Sequence, residues 1–123
     1  MKQKVHSVSY LAKAEFEFKN GVYDLVALPS GAEVVKVSLE VVGSSNAIGN
    51  VSVGFKDETQ KNYFLTLEKI ANNPNATSAK DYTATSNKVV AAEVKNANEG
   101  NNNNTKGVLR VLYFLPSVIE VEY

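Results

Sequence analysis

The segment at residues 23–42, YDLVALPSGAEVVKVSLEVV, limits the possible folds of this chain more than any other. An apolar run ends in a corner at residues 28–31, LPSG, and a long alternation of apolar and polar residues follows. Pro29 presets φ for the second position of a type I turn and Gly31 suits the fourth, so we expect the chain to reverse there. The alternation places one set of apolar side chains on a single strand face: Val35, Val37, Leu39 and Val41. This pattern indicates antiparallel β structure.

Short runs with the same period of two occupy much of the remaining chain. Ala14, Phe16 and Phe18 alternate with charged residues and are followed by Asn20-Gly21, the dipeptide that most favours a two-residue hairpin. We therefore expect residues 22–28 to form the return strand. The other candidate strands are residues 51–55, 63–67, 81–85, 88–95, 107–115 and 118–123. About eight or nine strands at this spacing predict an all-β, antiparallel two-sheet sandwich or a barrel.

Two further patterns qualify this prediction. Residues 108–115 are apolar on both faces apart from Arg110, which indicates a central strand or one whose second face a partner covers. Residues 43–50, 71–80 and 96–106 are polar and are expected to be loops. The third contains NEGNNNN, which has no apolar side chain to offset its ordering entropy, so we expect a mobile tip there.

Length and composition narrow the class of protein. The 123 residues are enough for one domain, which we assign to residues 13–123, preceded by an N-terminal arm or first edge strand at residues 1–12. Thirteen basic and thirteen acidic side chains cancel, so long-range attraction to nucleic acid or to an anionic membrane is not expected. The chain has no cysteine, no secretory leader pattern and no apolar run of membrane-spanning length. We expect a soluble product made in the cytoplasm.

The sequence gives little evidence for catalytic residues. His6 is the only histidine, and it lies in the N-terminal segment without a recognisable motif. Two pairs of glutamates share strand faces, Glu15 with Glu17 and Glu120 with Glu122. Glycosidases use paired carboxylates, but nothing around these pairs predicts the apolar pocket that an acid catalyst needs. We expect no catalytic residue, no cofactor and no metal site, and hence no enzyme.

Four segments together resemble a known family. They are residues 24–32 (DLVALPSGA), 33–42 (EVVKVSLEVV), 50–55 (NVSVGF) and 107–111 (GVLRV). This sequence of a Leu-Pro-x-Gly-Ala corner, a long strand and a Val-Ser-Val-Gly strand is similar to that of the small jelly-roll proteins of tailed bacteriophages. The resemblance implies an all-β, antiparallel two-sheet jelly roll, or β-sandwich, of about eight or nine strands.

The resemblance also implies a function. Related proteins are virion components, usually decoration or cement proteins that bind the outer surface of the major capsid protein shell as homotrimers and stabilise it. We expect the N-terminal segment to supply shell contacts, because an extended arm can satisfy backbone groups across an interface. The candidates for shell contact are Val5, His6, Val8 and Tyr10, and those for contact between subunits are Leu112 and Phe114.

A second class of function stays open at this point. A carbohydrate-binding β-sandwich, such as a virion fibre tip or a lectin-like module, would use the polar loops and exposed aromatic rings. The candidates for stacking on a sugar are Tyr10, Tyr63, Tyr82 and Tyr113, and the chain has no tryptophan.

Overall fold

The computed structural model of the protein describes residues 1–43, 47–68, 70, 74–98 and 104–122. These residues form eleven β-strands: β1 (Lys2–Val5), β2 (Ser9–Glu17), β3 (Gly21–Leu28), β4 (Glu33–Val42), β5 (Asn50–Phe55), β6 (Leu65–Leu67), β7 (Asn75–Ser78), β8 (Tyr82–Thr83), β9 (Lys88–Lys95), β10 (Lys106–Phe114) and β11 (Ile119–Glu122). Within these ranges we find no helix capable of crossing a membrane. Most of the predicted Asn-rich tip lies outside the described residues.

The strands form a two-layer sandwich with a separate ribbon. The first layer has the order β2-β10-β4-β7, with β8 also paired to β4, and the second has the order β3-β9-β5-β6. Among the described strands, the third sheet is formed by β1 and β11. All pairings are antiparallel. In the sandwich β2 lies beside β10 and β3 beside β9, so the chain wraps from both ends toward its middle, as in a jelly roll. The predicted fold class is confirmed.

The predicted hairpin at Asn20-Gly21 is wrong. Strands β2 and β3 belong to opposite layers, so the turn carries the chain across the sandwich. A type I′ hairpin needs positive φ at both central residues, and in the described part of the chain only Asn96 and Asn104 show it among non-glycine residues. Asn20 instead bonds through its side chain to Ala97, accepting from the backbone N–H at 2.9 Å. The long-range pairings of β2 and β3 override the local turn preference.

The corner after β3 forms one residue later than predicted. The Ala32 N–H donates to the Pro29 carbonyl at 3.1 Å, so Ser30 and Gly31 are the central residues of the turn. Gly31 has a φ of 88°, a left-handed conformation that the third position of a type II turn requires and that glycine adopts without strain. The Gly31 N–H donates to the Ala84 carbonyl at 2.6 Å, which fixes the corner to the segment after β8.

A bulge in β4 changes which valines face the core. Lys36 pairs with Leu112 and Val34 pairs with Tyr113, so Val35 is the extra residue between them. Consequently Val34 is buried, whereas the predicted core residue Val35 is only half-buried. The predictions for Val37, Leu39 and Val41 are confirmed by their burial.

One strand lies where we predicted a loop. The polar segment at 71–80 contains β7, which pairs with β4 from Val37↔Ser78 to Glu40↔Asn75. Its side chains are exposed or half-buried, so it lacks the apolar face by which a strand is recognised in a sequence. By contrast, β10 lies between β2 and β4, as its apolar sequence predicts.

The interior between the layers is apolar. Its largest fully buried side chains include Phe18, Leu28, Leu39 and Leu109. Thr105 is the one buried polar residue among those described, and no described aspartate, glutamate, lysine, arginine or histidine is buried. The stability of the sandwich therefore depends on apolar burial and backbone pairing rather than on internal ion pairs.

Gly107 accommodates an aromatic ring from the neighbouring strand. It pairs with Phe16 across β2 and β10, and a Cβ at this position would overlap the Phe16 ring. The ring also stacks on Tyr23 of β3, with centroids 5.1 Å apart, and so joins the two layers at this end of the core.

We predict that Gly107→Ala destabilises the protein by about 1–3 kcal/mol, because the added methyl group forces the buried Phe16 ring to move. Chemical denaturation measures this loss. In a Phe16→Leu background the same substitution should cost less, since the smaller side chain leaves room. Equal costs in both backgrounds would show that the ring is not the cause.

We also predict that the protein stays folded down to about pH 3, because no described buried carboxylate must be protonated, and no described buried imidazole charged, on unfolding. Circular dichroism as a function of pH measures this. Cooperative unfolding between about pH 4 and 5 would contradict the argument.

Candidate interaction surfaces

Three of the residues considered for catalysis, His6, Glu17 and Glu120, contact structural partners. The His6 Nδ1–H donates to the Leu115 carbonyl at 3.0 Å, because a carbonyl oxygen can only accept. Glu17 contacts Lys19 at 3.3 Å and Glu120 contacts Lys2 at 3.8 Å, all at the surface. The described residues contain no group of three histidine or carboxylate side chains that could hold a metal ion.

One ion pair shifts the pKa values of both its residues. The Lys88 ammonium donates to the Asp57 carboxylate at 2.8 Å and attaches the turn after β5 to β9. This hydrogen bond lowers the pKa of Asp57 and raises the pKa of Lys88. Neither residue is buried, so the ion pair lies at the surface, where it connects the turn to β9.

The tyrosines considered for sugar binding form two separate clusters. Tyr63 and Tyr82 pack with Phe55 and Phe64, and the Tyr82 ring lies 4.6 Å from that of Phe55. The Lys80 ammonium covers a face of Tyr63 at 3.8 Å from its centroid. Phe55, Tyr63 and Tyr82 line an open concavity, but these three rings pack against one another.

The second cluster lies at the start of β2. Tyr10 contacts Tyr113 edge to face, with centroids 5.9 Å apart, and Tyr113 is buried. Tyr10 itself is 51% exposed, and the neighbouring Val8 is 41% exposed. The Val8 carbonyl accepts from the Leu115 N–H at 2.8 Å, so this end of β2 is held in place while its side chains face solvent.

An apolar patch covers part of the outer face of the first layer. We define the outer patch as Leu11, Leu112 and Phe114. Leu11 and Leu112 are direct partners across β2 and β10, and Leu11 is 63% exposed. Together with Lys36, Ser38 and Arg110, the two leucines line a shallow, mainly apolar depression. The candidates Leu112 and Phe114 therefore face outward, where a partner can reach them.

The two ends of the chain form a ribbon outside the sandwich. We define the terminal ribbon as β1 and β11, which pair in the register Lys2↔Glu122, Gln3↔Val121, Lys4↔Glu120 and Val5↔Ile119. Paired residues share a face, so one face is charged and the other is formed by Gln3, Val5, Ile119 and Val121. Ile119 is 57% exposed. The predicted arm thus pairs with the C-terminal strand of its own chain, while β2 runs through the proposed boundary at residues 12 and 13.

Sequence reasoning singled out Val5, His6, Val8, Tyr10, Leu112 and Phe114 but not Leu11, Ile119 and Val121. The structure brings Leu11 to Leu112, and Ile119 to Val5, through cross-strand pairing. The signal in the sequence was an apolar residue on the polar phase of β2 for Leu11, and alternation with Glu120 and Glu122 for Ile119 and Val121. Neither signal reveals the partner.

Comparison with solved structures identifies the protein family. A chain in the acidic stable capsid structure of Helicobacter pylori bacteriophage KHP30 is 75% identical, with 100% of both chains covered and a TM-score of 0.90. This chain belongs to a family of bacteriophage capsid proteins. No family model and no curated protein matches this capsid protein.

More distant capsid structures share the fold of this capsid protein. A chain in the capsid asymmetric unit of cyanophage Pam1 is 18% identical with a TM-score of 0.64. This match covers 88% of the present chain and 85% of the Pam1 chain. A chain in the capsid of Ralstonia phage GP4 is 12% identical with a TM-score of 0.63. This match covers 92% of the present chain and 88% of the GP4 chain. At such identities the likeness shows a common jelly-roll fold.

We predict that Asp57→Asn lowers the melting temperature of this capsid protein at pH 7 and that the difference shrinks as the pH falls below the ordinary pKa of 3.8. The pKa of Asp57 is lowered in the folded state, so its contribution is present above the ordinary value of 3.8 and lost as pH falls through the folded value. Differential scanning calorimetry at several pH values measures the effect.

Asp81→Asn is the matched control, since the described ion pairs do not include Asp81. A pH-independent difference for Asp57→Asn would show that the charge of the pair is not responsible.

Proposed function

We propose that this capsid protein is a decoration, or cement, protein. In this proposal it binds as a homotrimer to the outer surface of a shell built from the major capsid protein and stabilises that shell. It is made in the host cytoplasm and acts without catalysis, nucleic acid or membrane. The observation that carries the proposal is the full-length, 75% identical chain in the KHP30 capsid.

The structure supports a mechanical role in two ways. Its interior is apolar and its strands are extensively paired, so the part of the domain that the structure describes transmits load without buried ionisable groups that respond to pH. Its described surface carries exposed apolar side chains at the start of β2 and on the outer patch, which suit contacts with other chains.

Different surfaces suit different partners. We assign the shell contact to the N-terminal segment with Val5, His6, Val8 and Tyr10, because Val8 and Tyr10 are exposed on a backbone fixed by Leu115. We assign a contact between subunits to Leu112 and Phe114 on the outer patch.

The KHP30 capsid is described as acidic stable. We propose that this chain serves a shell with the same property, because the described part of its core contains no acidic or basic side chain. The carbohydrate-binding alternative receives no comparable support, since Tyr63 and Tyr82 pack against other aromatic rings.

We predict that the purified protein adds to shells of the major capsid protein that lack it, and that Val8→Asp with Tyr10→Asp weakens this binding at least about tenfold. A buried carboxylate at such an interface would have no partner to offset its desolvation. Co-sedimentation with shells measures the binding, and thermal unfolding verifies that the variant is folded.

The matched control is Val22→Asp, which changes a valine that is 47% exposed on β3, in the other layer. It should bind as the natural protein does. A natural protein that ignores such shells at high concentration would refute the decoration role, whereas equal loss in both variants would refute only the assigned surface.

A further inference from the structure

The terminal ribbon has two strand edges without a partner among the described residues and an apolar face that is partly exposed. In the described ranges β1 and β11 pair with one another and with no third strand, so both outer edges are open. On the face formed by Gln3, Val5, Ile119 and Val121, Gln3 and Ile119 are exposed and the two valines are half-buried. An isolated two-stranded ribbon is marginally stable in water, and open edges invite further pairing. The ribbon therefore has the properties of an incomplete sheet.

The charges of the ribbon are arranged by strand. β1 carries Lys2 and Lys4, whereas β11 carries Glu120 and Glu122 on the same face. Within one copy, Lys2 lies 3.8 Å from Glu120. The outer edge of β11 is thus acidic and the outer edge of β1 is basic, so each edge is complementary to the other edge of a second copy.

An acidic edge that meets the basic edge of another copy makes a head-to-tail contact. Such contacts produce filaments unless the rotation between copies closes a ring. Closure removes every open edge and turns one face of the sheet inward. For a homotrimer the natural closed form is a ring of three ribbons.

We propose that β11 of each copy pairs with β1 of the next, and that three terminal ribbons close a ring with their apolar faces inside. The ring rests on the homotrimer of the proposed function, and it adds the ribbon contact to the contact between subunits assigned to Leu112 and Phe114. Val5 and Ile119 then face the ring interior, and lysines and glutamates alternate around its outside. The shell contact of the N-terminal segment falls to His6, Val8 and Tyr10.

A charge exchange tests the ring without disturbing the pairing inside one copy. The variant combines Lys2→Glu, Lys4→Glu, Glu120→Lys and Glu122→Lys, which leaves the net charge unchanged and preserves opposite charges across the ribbon. Exchanged copies alone should form trimers. In a mixture with natural copies, every mixed ring contains one Glu–Glu and one Lys–Lys junction, so we expect mixed trimers at least about tenfold below their random share.

The exchange leaves the composition and hence the mass of the chain unchanged, so the exchanged chain is uniformly labelled with ¹⁵N. Natural and labelled exchanged chains are mixed, unfolded and refolded together, and native mass spectrometry then counts the four possible trimers. The matched control exchanges Asp24 and Lys56, an exposed pair 2.9 Å apart on the sandwich, and should mix at random. Thermal unfolding verifies that both variants are folded.

Random mixing of the ribbon variant would overturn the ring and point to the outer patch as the subunit contact. A natural protein that remains monomeric, or an exchanged protein that is folded but does not form trimers, would also overturn it. Random mixing combined with loss of shell binding by the exchanged protein would instead assign the ribbon to the shell contact.

The decoration role is tested separately by co-sedimentation of the natural protein with shells. Failure of the natural protein to bind shells would refute that role, whatever the result of the mixing experiment.

Discussion

The pairing of β10 between β2 and β4 is the constraint on which the remaining structure depends. Residues 106–114 pair with β2 on one side and β4 on the other, so one strand near the end of the chain organises two strands from its first third. Because β2 and β10 are antiparallel neighbours, the segment before β2 and the segment after β10 emerge at the same end of the sandwich. The terminal ribbon is a direct consequence of this topology.

The same pairing separates the core of the protein from the outer patch. Alternate residues of β10 face opposite ways, with Leu109 and Val111 in the core and Leu112 and Phe114 outside. One strand therefore supplies both the packing that stabilises the domain and the apolar outer patch. A sequence that is apolar on both faces of a single strand is consistent with a protein that functions in an assembly.

Sequence reasoning predicted the class of fold because the two-residue alternation is a local property. It failed where distant contacts decide the outcome. Asn20-Gly21 favours a hairpin locally, but the pairing of β2 with β10 and of β3 with β9 places the flanking strands in different layers. The bulge at Val35 likewise depends on the register with β10, which a single strand does not encode.

The candidate interaction surfaces were visible in the sequence to a smaller extent. Val8 and Leu112 were predicted as contacts because apolar side chains near chain ends and on two-faced strands favour interfaces, and the structure leaves Val8 exposed and Leu112 half-buried. Ile119 was not found, because its importance depends on pairing with Val5 across the ribbon. A protein with no net charge has little long-range attraction to guide its partners, so recognition must come from the local order of charges and apolar side chains. The terminal ribbon, with lysines on one strand and glutamates on the other, has such an order.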